Sequence, residues 1–429
     1  MKINLLYGNQ ALPLELPDDR VKAVLEARPL PFADSEEELV RAAMAEPTDS
    51  APLSELVNSG ESACIIVGDM TRSWVRHDIL LPVILGELNR GGIADRDIVI
   101  ISATGDHREQ SADEHKLLVG EEVYSRIKVI DHRARNRDEL VFLGKTAYGT
   151  PVSINKTVCG ADRVILTGGI VYHFLAGWGG GRKAILPGVA GYDTIMKNHS
   201  LAFYPEEGRG LNPHVCAGKI EGNPCSDDMA RGAALVSPDY LVNTIIDEEN
   251  HRIAYVVAGN YISAFRKGCE LVSDHFGVKI SEKSDLVIAS CGGYPKDINF
   301  YQAYKTIYNA SLALEKGGTL LLVSESREGI GSDHFFSVFT AYPDNPQREA
   351  ALRSEYTIGG QMGYHSALVA EKNDILVLSD LPQEQVRKMG MIPVRSMADA
   401  LSFAENKHGG LPQACVMPHG SSTVPVLKA

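Results

Sequence analysis

The stretch Ala63–Gly68, ACIIVG, is short and apolar, and it runs straight into Asp69-Met70-Thr71-Arg72. Asp97–Ala103 (DIVIISA), Arg126–Asp131 (RIKVID) and Arg163–Thr167 (RVILT) follow the same grammar. Runs of this kind, ending at or within two residues of Gly, Asp or His and showing no alternation, suit strands buried on both faces. That is the condition of a parallel sheet covered by crossover helices. Ile79–Asn89 and Asp113–Leu118 are helix candidates between them. Asp239–Ile246 and Ile253–Ala258 read as a further strand pair, followed by an amphipathic helix over Ile262–Phe276.

A second series repeats the pattern in Asp285–Ser290, Thr319–Ser324 and Asp374–Ser379. The polar break Val278–Lys283 marks the domain boundary, and Ala414–His419 reads as a last strand that returns to the first domain. The expected fold is α/β, with two domains of parallel-rich sheets flanked by helices and an active site in the interdomain cleft. Residues 1–278, joined by 414–429, form the N-terminal domain and 279–413 the C-terminal one.

Composition narrows the function. Hydrophobic residues make up 44% of the 429 and charged residues 23%, a globular balance. The net charge of −13 argues against a nucleic-acid or anionic-membrane surface, so an anionic ligand needs a local basic cluster. Seven cysteines, scattered and without a C-x-x-C pair, fit neither a zinc ribbon nor a disulfide framework. Together with an N-terminus that lacks a secretory pattern, they predict cytoplasmic residence.

In open parallel sheets, ligands sit at the carboxyl ends of strands. Three expected strand ends carry chemistry: Asp69-Met70-Thr71-Arg72, Thr104-Gly105-Asp106-His107-Arg108 and Gly168-Gly169-Ile170-Val171-Tyr172-His173. Either histidine alone reads more readily as a helix cap or a loop bond than as a functional group. The two together, each just past a glycine-bearing strand end, favour function. In Ala176–Gly188, Gly177, Gly179, Gly180 and Gly181 precede Arg182-Lys183. This loop could hold a phosphate or carboxylate, or could be a tight turn with a solvated basic pair. It is no P-loop, because Arg182 stands where glycine is needed and Ala184 where a hydroxyl is needed. His199 alone reads as a satisfied helix histidine. Gln302 and Lys305 share a helix face after Gly292-Gly293-Tyr294-Pro295, and could present an amide and an ammonium to a carboxylate.

Taken together, these segments resemble the nickel-pincer lactate racemase family. The resemblance rests on Asp-x-Thr-Arg at Asp69, Gly-x-His-Arg at Gly105–Arg108, His173, Gly-Gly-Arg-Lys at Gly180–Lys183, Asn198-His199, Gly-Gly-Tyr-Pro at Gly292–Pro295 and Tyr-Gln-Ala-x-Lys ending at Lys305. It implies a nickel-pincer nucleotide, a pyridinium-3-thioamide-5-thiocarboxylic acid mononucleotide, attached covalently through Lys183. His199 would be the nickel ligand, and His107 and His173 the acid/base pair. Asp69, Thr71, Arg72, Gly180, Gly181 and Arg182 would line the cofactor region. Arg72, Tyr294, Gln302 and Lys305 would bind the substrate.

The implied reaction inverts C2 of a 2-hydroxy acid by reversible hydride transfer through a 2-keto acid, with cofactor-biosynthesis proteins as partners. Histidine suits proton traffic in both directions because its ordinary pKa lies near working pH. The same machinery in a roomier pocket would epimerise a polyhydroxylated sugar acid at C2. A non-catalytic phosphate or carboxylate binder would need only the glycine loop. Two features depart from the family: Ser73-Trp74 after Arg72, where proline is usual, and Trp178 beside the glycine loop. Both bear on pocket shape. Gly359–His365 is a further candidate pocket wall without an assigned role.

Overall fold

The computed structural model describes residues 1–247 and 250–427. The chain forms two compact units. The larger comprises Pro29–Ala202 and Asn212–Ser273, and the smaller Met1–Arg28, Phe203–Leu211 and Asp274–Ala429.

The larger unit is built on β1 (Ala63–Gly68), β2 (Ile98–Ala103), β3 (Lys128–Asp131), β4 (Arg163–Gly169), β5 (Tyr240–Asp247) and β6 (Arg252–Gly259). Its sheet order is β6-β5-β4-β1-β2-β3. All neighbours are parallel except the β5–β6 pair. Ala63–Val67 is buried throughout, which explains the unalternating apolar run. Helix α1 (His77–Arg90) packs Leu80, Ile84 and Leu88 into the same core as Ile65, Ile100 and Val242. Helix α2 (Ala112–Val119) starts at a Ser111/Glu114 capping box. Helices α3 (Tyr192–Ser200) and α4 (Pro224–Ala234) follow the glycine-rich loop. The strand order reverses between β1 and β4, and the carboxyl ends at such a reversal form a ready crevice.

The smaller unit has β7 (Ser284–Ser290), β8 (Leu314–Val323), β9 (Asp374–Leu378), β10 (Ile392–Val394) and β11 (Ala414–Met417), with α5 (Phe300–Ala313) after β7 and α6 (Ile358–Lys372) before β9. Its sheet runs β10-β9-β8-β7-β11 and ends on the edge strand Val21–Val24, all parallel.

The expected domain bounds need correction. Of the segment 414–429 expected in the first domain, the described residues stay with the C-terminal half, because β11 pairs with β7, while Val424–Leu427 pairs with Gly277–Ile280, which overlaps the expected break. Residues 1–28 join them: an N-terminal hairpin (Lys2–Tyr7, Gln10–Glu15) packs Leu5 and Leu14 against Ile288, Leu321 and Val416. Gly359–His365 proves to be helix packing. A Cβ on Gly363 would lie 2.5 Å from the Phe335 carbonyl, and half-buried His365 packs against the Tyr304 and Tyr308 rings.

Candidate active site

The turn after β1 is tight. A Cβ on Gly68 would lie 2.8 Å from that of Arg72, so glycine lets the chain fold back at once. Asp69 then caps a short 3₁₀ turn, Met70–Val75, accepting from the Thr71 N–H (3.2 Å) and hydroxyl (2.5 Å). Its other oxygen accepts from His107 Nδ1 at 2.5 Å. Burial works against the Asp69 charge. Even so, the His107 and Thr71 hydrogen bonds and the His107 and Arg72 charges outweigh it, holding the carboxyl below its ordinary range. His107 therefore carries a proton on Nδ1 and presents the Nε2 lone pair, with its side chain 56% exposed. That is the disposition of a general base.

Arg72 is bonded to the Thr71 hydroxyl at 3.0 Å. It is surface-exposed, yet surrounding protein pulls its pKa below the ordinary value against the pull of Asp69.

His173 lies beyond β4 on a small hairpin, Tyr172–His173 against Gly177–Trp178. Its Nδ1 accepts from the Leu175 and Ala176 N–H groups at 3.1 and 3.2 Å. The neutral ring thus holds its proton on Nε2, the opposite tautomer to His107. Trp178 is buried and stacks on Tyr172 with centroids 4.3 Å apart, so it stiffens this hairpin. Trp74 covers Gly169, where a Cβ would meet its ring at 2.4 Å.

The glycine loop brings in the cations. Gly180 and Gly181 both have positive φ, and the Gly181 N–H donates to Asn243 Oδ1 at 2.8 Å. Arg182 is buried. It donates to the Ala176 carbonyl (2.9 Å) and Ser226 hydroxyl (2.7 Å) and lies over the Phe265 ring, while Nη1 has no partner. Burial lowers its pKa to about 10. The Lys183 amine is pushed well below its ordinary value, first by burial and then by the Arg72 and Arg182 charges, with no carboxylate acting on it. On α3, buried His199 is driven to about 3 by burial and by Lys183, so its imidazole is neutral. The helix is anchored beside it. Asn198 Nδ2 donates to Asp228 Oδ2 at 2.8 Å, and that buried carboxylate also accepts from the Thr146 and Thr150 hydroxyls.

Asp69, Thr71, Arg72 and His107 form one bonded group, while the charges of Arg72 and Arg182 act on Lys183 and that of Lys183 on His199. The Arg182 bond to Ala176 ties that set to the His173 hairpin. Among the described residues no three His, Cys, Asp or Glu side chains gather as a metal cage. Tyr294, Gln302 and Lys305 belong to the smaller unit. Tyr294 is exposed beneath the Arg327 guanidinium, and Gln302 and Lys305 occupy the start of α5, after the Asn299 cap. Asn243, Asp228 and Gln110, whose amide spans three strand ends, escaped the sequence reading. Each is a lone polar residue with no spacing signal. In Asn243's case, a polar residue inside the run DYLVNTII was the available hint.

Residues 7–210 match the model of the lactate racemase N-terminal domain and residues 279–425 that of the lactate racemase C-terminal domain. The chain is 30% identical to a lactate racemase of Thermoanaerobacterium thermosaccharolyticum, over 98% of each chain. It is 28% identical to one of Lactiplantibacillus plantarum, over 98% of this chain and 99% of that one. The lactate racemase apoprotein structure from T. thermosaccharolyticum superposes with a TM-score of 0.90 at 30% identity, covering 99% of this chain and all of that one. A Thermotoga maritima protein at 16% identity shares the fold, with a TM-score of 0.64 over 92% of this chain and 100% of that one.

Proposed function

The chain belongs to the lactate racemase family, and from that premise we propose that it inverts C2 of lactate or a close 2-hydroxy acid. The observation that carries the reading is Lys183: a half-buried residue whose amine is depressed first by burial and then by two guanidiniums, with no carboxylate among the described residues acting on it and a neutral imidazole close by. Those residues fit the nickel-pincer nucleotide that the family resemblance implies. Lys183 offers an amine able to form the thioamide link, and His199 an uncharged nitrogen for the metal. Bound there, the group would supply a hydride acceptor, chemistry the protein itself lacks.

The chain's residues do the rest. Arg72 binds the substrate carboxylate, a charge-assisted bond worth on the order of 1.5–3 kcal/mol. His107 takes the hydroxyl proton at Nε2 while Asp69 steadies the imidazolium. A protonated His173 then serves the oxygen of the 2-keto acid once it presents its other face. Gln302 and Lys305 are proposed as further substrate ligands on the resemblance alone.

The test is to incubate cofactor-loaded enzyme with each lactate enantiomer deuterated at C2, beside a panel of larger hydroxy acids, and follow the products by chiral separation. Racemisation with the deuterium retained is expected. Loss of the label to water would replace hydride transfer with proton abstraction, and no inversion of any 2-hydroxy acid would overturn the reading. Intact mass should show an adduct on Lys183, which a simple anion binder would not carry.

A further inference from the structure

One side chain of the larger unit touches the carboxyl ends of three adjacent strands. Gln110 Oε1 accepts from the Met70 N–H just beyond β1 (2.7 Å), and its Nε2 donates to the Ser102 hydroxyl in β2 (2.7 Å) and to Asp131 Oδ1 in β3 (2.9 Å). The Gln110 backbone N–H reaches the other Asp131 oxygen at 2.6 Å. Asp131 is fixed in turn by His115 Nε2, 2.8 Å from Oδ1. Met70 is the neighbour of Asp69, and Gln110 sits on the same loop as His107, so both halves of the Asp69–His107 pair hang from this amide.

We propose that Gln110 is a positioning residue: by tying β1, β2 and β3 together through its amide, it sets the Asp69 carboxylate against His107 Nδ1. The inference rests on His107 being the base of the proposed reaction. The polarity of the amide matters. Met70 N–H demands an acceptor, whereas Asp131 and Ser102 demand a donor, and among uncharged side chains of this length only an amide provides both. A glutamate would set a second carboxylate against Asp131 and titrate only once that pair gave up a shared proton. The titratable and charged groups around the network are His107, Arg72 and Arg108 near Asp69, with Glu114 on Arg108, and His115, Arg108, Glu109, Lys128, Arg133, Glu139 and Lys156 on the Asp131 side. Gln110, His115 and Asp131 also line a hollow of about 470 Å³ that includes none of the catalytic candidates. Water therefore has access to the network once the amide is gone.

Gln110→Leu and Gln110→Glu decide the matter on cofactor-loaded enzyme. In Gln110→Leu, kcat should fall roughly ten- to a hundredfold, the scale of an ångström misplacement of a catalytic group. KM, nickel content and the Lys183 adduct mass should stay near wild type. Gln110→Glu should keep most activity in acid, where its carboxyl shares a proton with Asp131, and lose it as pH rises. A second readout needs neither cofactor nor turnover. The ¹⁵N spectrum of the unloaded protein, with His107 assigned by difference against His107→Ala, should show a proton on Nδ1 in wild type and mixed tautomers in Gln110→Leu. If the variants keep the wild-type His107 signals and kcat, the positioning role is overturned. If wild type fails to racemise while the tautomer still depends on Gln110, the functional reading fails and the positioning survives.

Discussion

His107 and His173 are set up as opposites. A carboxylate on Nδ1 makes His107 an acceptor at Nε2, whereas two backbone N–H groups on Nδ1 leave His173 a donor there. To act as an acid, His173 must take a second proton on Nδ1 and surrender both backbone bonds. The enantiomers of a 2-hydroxy acid are equal in free energy, so kcat/KM must match in the two directions. The difference between the histidines then surfaces in kcat and KM taken separately. Replacing Asp69 by Asn keeps the shape but removes the charge that steadies the His107 imidazolium. Turnover should drop by roughly 10²- to 10⁴-fold, the usual worth of a positioned acid/base, with nickel content unchanged by elemental analysis. His107→Ala and His173→Ala should each nearly abolish inversion while the Lys183 adduct stays intact by mass. Near-normal rates in both directions from either variant would mean that inversion does not need two proton partners.

At the scale of elements, two glycines with the same backbone make a controlled pair. Gly105 and Gly181 both sit at φ +56°, but a Cβ on Gly105 meets nothing closer than 3.7 Å, whereas one on Gly181 would be 2.5 Å from the Phe265 ring. Gly105→Ala should therefore cost only the left-handed penalty, about 1–2 kcal/mol. Gly181→Ala adds overpacking of a further ~1–3 kcal/mol. Urea denaturation of the unloaded variants checks this, and equal losses would mean that Phe265 simply moves aside. All six strands of the larger sheet and the inner strands of the smaller one were legible because burial on both faces leaves an unbroken apolar run, as in Ala63–Gly68 and Asp374–Leu378, whereas the half-buried edge strands Val21–Val24 and Ile392–Val394 were not. The hairpin Lys2–Glu15 was not legible: only Leu5 and Leu14 in it are fully buried, too few to stand out as a pattern. Val278–Lys283 reads as a break because one short pairing with Val424–Leu427 is all that makes the overlapping Gly277–Ile280 a strand. The partner of β11 could not be read either, since a strand's own residues do not say which edge it joins. The histidines and the glycine loop were visible through their places at strand ends. Gln110 was invisible because its role lies in three contacts distant in sequence.

For the whole molecule, the net charge of −13 says little about acid stability, since what matters is which groups titrate differently on unfolding. Two histidines outside the site stand out, one in each unit. His77 packs wholly inside the larger unit, its Nε2 accepting from the Gly68 N–H, and half-buried His365 packs against the Tyr304 and Tyr308 rings in the smaller unit. Burial drives both to about 4, with nearby Asp78 opposing the shift at His77 and Lys372 adding to it at His365. An unfolded histidine takes its proton near pH 6.5, whereas these do so only near 4. Between those values the unfolded chain binds more protons, so stability rises with pH. The stabilisation is complete above about 6.5 and drains away as pH falls towards 4. Each group accounts for on the order of 2–3 kcal/mol across that window. Ordinary carboxylates begin to matter only below about 4.5, which leaves pH 6.5 to 4.5 to the histidines. The urea midpoint of the unloaded protein should accordingly decline through that range. His77→Gln offers an acceptor to Gly68 and cannot titrate, so this variant should be less stable at pH 7 yet lose less between pH 6.5 and 4.5 than wild type. Parallel acid slopes in the two proteins would mean that His77 is not the group being protonated.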